Sequence, residues 1–228
     1  MENVDLIIGY GQIGKAVGNY FVSDLHDPKK GHTAKGKDYR IMHVAIPFTE
    51  SFVETVLDYQ EEFNPRYTVI HSTVPVGTSR RCDAVHSPVV GMHPNLAPSL
   101  KIFKKFIGGE KASDVADFFR RVGIKVYTTD KSETTELMKA LCTTNYGLNI
   151  EFTKEVKRLC EKYEVPFEMF TLWNNNYNEG YEKLGYPEYH RYNLVPLMKQ
   201  IGGHCILPNY NFIESKFTEF LKCLKEKE

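Results

Sequence analysis

The sequence has no excess of charge of either sign: across its 228 residues, 29 Lys and Arg stand against 29 Asp and Glu. That balance argues against nucleic acid and anionic membrane surfaces as partners, because both call for a basic excess or stripe. No apolar run approaches the length of a membrane span; the longest, such as residues 4–8 and 42–47, are strand-sized. The opening Met1-Glu2-Asn3-Val4-Asp5 lacks a basic region followed by an apolar stretch, so no signal peptide is expected. Cysteine is scarce and odd in number, and Cys82, Cys142, Cys160, Cys205 and Cys223 form no C-x-x-C pair. Neither a disulfide framework nor a metal site is expected, and a cytoplasmic setting is the simplest expectation. No internal repeat is visible. With 42% hydrophobic and 25% charged residues, the chain has the make-up of a folded protein long enough for one large domain or a domain plus a lobe.

The pattern along the chain alternates. Residues 4–8 predict a buried strand that runs directly into Gly9-Tyr10-Gly11-Gln12-Ile13-Gly14 and a helix to about residue 20. Strands are predicted at residues 21–26, 40–46, 67–71, about 85–91 and 124–128, with helices at 50–63 and about 112–122. Strands alternating with helices predict an α/β fold, a Rossmann-type parallel sheet. From Ser132 to Tyr163 the period changes: Leu137, Leu141, Leu148, Phe152, Val156, Leu159 and Tyr163 share one helical face. A helix of that length runs roughly 45 Å before Pro166 stops it. Residues 173–193, crowded with Asn and Tyr, predict an ordered surface segment. The tail places Ile213, Phe217, Phe220, Leu221 and Leu224 on one face of a docked helix. The expected division is a dinucleotide-binding domain over 1–130, then a long helix and small helical lobe for substrate and dimerisation over 131–228.

A G-x-G-x-x-G string carries weight only between a strand and a helix, which is its setting here. Gly9 permits the tight turn, Gly11 lets a pyrophosphate approach the backbone through Gln12 and Ile13, and Gly14 lets helix and strand pack closely. The acidic residue that reads the ribose belongs about 20 positions on, at the end of the second strand. Asp27 suits that position better than Asp24 and points to NAD, while Lys29 and Lys30 leave NADP open.

Three pieces of the chain together resemble the UDP-glucose/GDP-mannose (nucleotide-sugar) dehydrogenase family. They are the glycine turn, Ser72-Thr73-Val74-Pro75-Val76-Gly77-Thr78, and the loop Gly202-Gly203-His204-Cys205-Ile206. The long helix from near Glu136 and Lys139 is similar to the family's connecting helix. No counterpart of the family's C-terminal nucleotide-sugar-binding domain is expected within these 228 residues. The resemblance implies oxidation of a primary alcohol to a carboxylate with two NAD. A thiolate adds to the aldehyde, hydride leaves the thiohemiacetal, and water cleaves the thioester. It implies Cys205 as nucleophile, Lys139 as the cation facing the oxyanion and Thr73 as a residue that positions water.

Three positions depart from the family. Thr143 stands for its asparagine, Asn209 for its aspartate, and Val89 for a glutamate. The nucleophile and lysine remain, but the carboxylates that would manage water do not, so His86, His93 and His204 are candidates for proton transfer. The expectation is an NAD-dependent oxidoreductase acting on a sugar-like small molecule and assembled as a homodimer along the long helix. Two alternatives stand beside it: a dinucleotide-binding regulatory or scaffold protein, and a two-electron dehydrogenase without thioester chemistry.

Overall fold

A computed structural model describes residues 4–92, 94–196 and 211–225. The chain divides into two compact units, Met1–Ala140 and Leu141–Glu228. The first unit is built on a seven-stranded sheet of order β2-β1-β3-β4-β5-β6-β7. Its strands are β1 (Asp5–Ile8), β2 (Ser23–His26), β3 (Ile41–Val44), β4 (Tyr67–Ile70), β5 (Val85–His86), β6 (Lys105–Gly108) and β7 (Val126–Thr129). All neighbours pair in parallel except β5 and β6. The Rossmann-type α/β fold expected from the sequence is present.

Alternation along each strand assigns two faces. Leu6, Ile8, Met42, Val44 and Ile70 meet Phe52, Val56 and Phe63 of helix α2 (Phe52–Phe63). On the opposite face, Ile41, Val69, Val85 and Ile107 meet Ala16 and Val17 of α1 (Gln12–Gly18) and Val115, Ala116 and Phe119 of α5 (Ala112–Arg121). Because helices cover both faces, the strands read as near-continuous apolar runs. Helix α5 shows why its segment is helical: Ala112, Val115, Ala116 and Phe119 are buried at steps of three and four. Short helices α3 (Thr78–Arg81) and α4 (Leu96–Ile102) complete the connections.

Strand β6 and helix α4 are absent from the sequence expectation. Lys105 opens β6 and reads as a surface residue, yet it is buried. The predicted strand over 85–91 shrinks to two residues because the chain turns away at Ser87-Pro88.

The long helix α6 spans Ser132–Lys162 and supplies residues to both units. Glu164, at φ 56°, and Pro166 end its path. Its buried positions include Thr135, Glu136, Ala140, Thr144, Ile150 and Thr153, whereas Leu137, Leu141, Phe152, Leu159 and Tyr163 of the expected apolar stripe are exposed. In the second unit, α7 (Glu168–Leu184) takes in the first half of the Asn/Tyr-rich segment and ends at Gly185 in the left-handed conformation. The final helix, α8 (Lys216–Lys225), docks through Leu221 against Ile150. Phe217 and Phe220 of the predicted apolar face stay exposed, a correction to that expectation. Among the described residues no helix is long and apolar enough to cross a membrane.

Candidate cofactor and active site

The sheet reverses direction of growth at β1: β2 lies on one side and β3 on the other. Such a switch point opens a crevice beyond the carboxyl ends of the strands. The glycine turn sits there, and its three glycines differ in kind. Gly9 has φ +86°, and a Cβ on it would lie 2.7 Å from Ile46 Cγ2. A Cβ on Gly14 would drive into the Gly9 carbonyl oxygen. Gly11 faces open space, with nothing within 4 Å of where its Cβ would be. The first and third are therefore demanded by packing; the second is not, and leaves Gln12 and Ile13 approachable. Asp27, just past β2, closes the constellation: its Oδ2 accepts from the Tyr10 amide at 2.9 Å. That bond, with Lys30 at 3.5 Å, holds the Asp27 carboxyl below its usual range. Lys30 Nζ also donates to the Tyr10 carbonyl at 2.8 Å, so the turn is clamped from both sides. Asp24 is engaged elsewhere, accepting from the Tyr39 hydroxyl at 2.7 Å.

A second group lies at the carboxyl ends of β4 and β5. Ser72 Oγ donates to Ile46 O, the residue that packs on Gly9, so this segment adjoins the glycine turn. Thr73 follows, half-buried. Gly77 and Ser79 donate their amides to Glu136 of α6 at 2.6 and 2.8 Å. The Gly-Thr end of the motif is thus a helix start capped from outside by a buried carboxylate, and it ties the motif to the helix that bears Lys139. Lys139 Nζ donates to Val89 O at 3.0 Å. Thr143 is half-buried one turn further along α6. Cys205, Asn209, His93 and His204 lie outside the described residues.

His86 is fully buried, with Nδ1 2.8 Å from Thr135 Oγ1 and Nε2 3.1 Å from Ser72 O. Burial pushes its pKa down to about 3, so it is a satisfied structural histidine, unsuited to proton transfer near neutrality.

Sequence reasoning missed a row of buried polar groups on the α1/α5 face. Arg40 grips Asp5 with two hydrogen bonds, of 2.9 and 2.8 Å. Asp5 Oδ2 lies 3.6 Å from His43 Nε2, too far for a hydrogen bond. His43 Nδ1 is 3.0 Å from His71 Nε2, and His71 Nδ1 is 2.8 Å from Ser87 O. A carbonyl only accepts, so His71 carries its proton on Nδ1 and His43 donates to it through its own Nδ1. Lys105 ends the row, donating to Ser87 O at 2.8 Å and Pro88 O at 3.3 Å. Burial lowers the pKa of both His43 and His71 and pushes Lys105 down to about 7. The available signal was the period of two: Asp5 and His43 interrupt apolar strands at inward positions.

No family model matches the chain. A UDP-N-acetyl-D-mannosamine dehydrogenase of Methanococcus maripaludis is 25% identical over 196 residues, covering 79% of this chain and 42% of its own length. A UDP-D-ManNAc dehydrogenase of Pyrococcus horikoshii superposes with TM-score 0.74 at 16% identity, over 98% of this chain and 68% of its own. The chain resembles the nucleotide-sugar dehydrogenases in sequence and in fold. It spans less than half the length of the curated relative. Psf3, solved with NADP+ and 2-OPP, matches 96% of this chain and 92% of its own at TM-score 0.60 and 14% identity.

Proposed function

We propose that the chain is a nicotinamide-dinucleotide-dependent dehydrogenase that oxidises an alcohol of a sugar or nucleotide sugar. The observation that carries the reading is the glycine turn at the switch point, with Gly9 and Gly14 fixed by packing, Gly11 open and Asp27 clamped beside them. These residues fit a dinucleotide: Gly11, Gln12 and Ile13 offer backbone to the pyrophosphate and Asp27 accepts from the ribose hydroxyls. The bound cofactor supplies the hydride acceptor. NAD is the reading that Asp27 favours, since its carboxylate repels a 2′-phosphate; Lys30 is the counter-charge that NADP would use.

Residues 1–130 hold the cofactor, and residues 131–228 form the helical lobe for substrate and dimerisation. By resemblance, Cys205 adds to the aldehyde, the Lys139 ammonium stabilises the oxyanion and Thr73 positions water. The exposed Leu141, Phe152 and Leu159 of α6, with Tyr163 just past its end, support a homodimer along that helix, because a monomer rarely leaves so much apolar surface to water. Val89, buried and apolar where a glutamate is expected, favours a second reading: a two-electron dehydrogenase that needs no thioester hydrolysis.

The test is NADH formation from a panel of nucleotide sugars and sugar alcohols with wild type and Cys205→Ser. Turnover that vanishes in the variant supports covalent catalysis, and turnover that survives supports simple hydride transfer. Cofactor binding without turnover on any substrate moves the reading to a regulatory or scaffold protein.

A further inference from the structure

At the opposite end of the sheet from the glycine turn, beside the first residues of β1, β3 and β4, the first unit carries a cleft of about 740 Å³. That volume lies within the range of sites that take small organic ligands. Its chemistry centres on two aromatic rings, Tyr67 and Phe118, with centroids 5.9 Å apart. Three guanidinium groups surround them. Arg40 and Arg121 lie 5.0 and 5.6 Å from the centre of Phe118, and Arg66 lies 5.1 Å from that of Tyr67.

The three cations are not equally satisfied. Asp5 holds Arg40 in a bidentate pair. Two carboxylates line the cleft, but Asp117 pairs with Arg120 at 2.7 Å, and Asp114 accepts from the Tyr67 hydroxyl at 3.3 Å. Arg66 and Arg121 have no carboxylate partner among the described residues. Two planar forks, set over aromatic rings in one cleft, match the oxygens of a phosphate or carboxylate. Asp114 adds an acceptor for a hydroxyl or a ring N–H. The zero net charge of the chain argues against a polynucleotide as the occupant.

We propose that this cleft is a second ligand site, taking a mononucleotide-sized anion. Its phosphate pairs with the Arg66 and Arg121 guanidinium groups, and the rest of the molecule fills the cleft beside Tyr67 and Phe118. The site is separate from the glycine turn and does not depend on cofactor binding there. Both arginines are exposed, so replacing them leaves the core intact.

The probe is uridine 5′-monophosphate, titrated calorimetrically into wild type, Arg66→Ala, Arg121→Ala and Gly11→Val, with uridine as the uncharged control. Each arginine loss removes a charge-assisted hydrogen bond and weakens affinity on the order of tenfold or more. Gly11→Val, which obstructs the other site, leaves the affinity unchanged, and uridine binds far more weakly than its phosphate. Absence of binding by wild type, retention of full affinity in both arginine variants, loss of binding in Gly11→Val, or equal binding of uridine each overturns the proposal.

Discussion

Lys105 makes stability depend on pH between about 7 and 10.5. Its ammonium is buried to 3% exposure, and its hydrogen bonds go to two carbonyls. Burial lowers its pKa from 10.5 to about 7. Between those values the unfolded chain holds a proton that the folded chain has released, so stability rises with pH across the window. The whole span corresponds to about 5 kcal/mol, of which about 2 kcal/mol falls between pH 7 and pH 9. Other buried groups act outside that interval. His43, His71 and His86 have lowered pKa values and cost stability below about pH 6.5, while Cys82, raised from 9.0 to about 11, costs it above about pH 9.

Lys105→Met keeps an unbranched chain of similar volume and removes the proton. Ser87 O keeps its bond from His71, so the Pro88 carbonyl alone loses its donor, at about 1–3 kcal/mol. That loss is smaller than the relief of about 4 kcal/mol at pH 7. Urea denaturation at pH 7, 8 and 9 is the assay. Wild type gains about 2 kcal/mol across the series, and the variant is flat and the more stable of the two at pH 7. A flat wild-type profile, or an equal slope in the variant, would show that Lys105 does not set this pH dependence.

Gly14→Ala forces a Cβ into the Gly9 carbonyl and destabilises the chain by about 1–3 kcal/mol, whereas Gly11→Ala leaves the melting temperature unchanged; thermal melts compare them. Glu136→Gln retains one acceptor oxygen for the two amides of Gly77 and Ser79 and costs about 1–3 kcal/mol in urea denaturation. Phe152→Asp, on the exposed face of α6, yields a monomer in sedimentation at micromolar concentration, where wild type sediments as a dimer; a monomeric wild type ends the dimer proposal.

What the sequence revealed depended on whether a local rule governed it. Gly9, Gly11 and Gly14 were legible because strand, turn and helix follow one another without a gap. Their three packing environments then separate the structural glycines from the open one. The extent of α6 was equally plain from its period, but not which face would be covered. Small and polar Ala140, Thr144 and Thr153 are buried while Leu141 and Phe152 are exposed, because neighbouring backbone, absent from any local pattern, decides burial. Strand β6 escaped for the same reason: four residues opening on a lysine look like surface until tertiary contacts place that lysine in the core. Asp5, His43 and His71 stand 28 or more residues apart where they form a row, and only the strand order brings them together.

The proposed function stands or falls with a nicotinamide dinucleotide held by Gly9 to Gly14 and Asp27. Calorimetric titration of NAD and NADP into wild type and Gly11→Val tests it most directly, because Gly11 has no protein neighbour for the added side chain to disturb. Wild type is expected to bind NAD saturably and NADP more weakly, and Gly11→Val to lose NAD binding while melting normally. No NAD binding by wild type, or undiminished binding by Gly11→Val, contradicts that function.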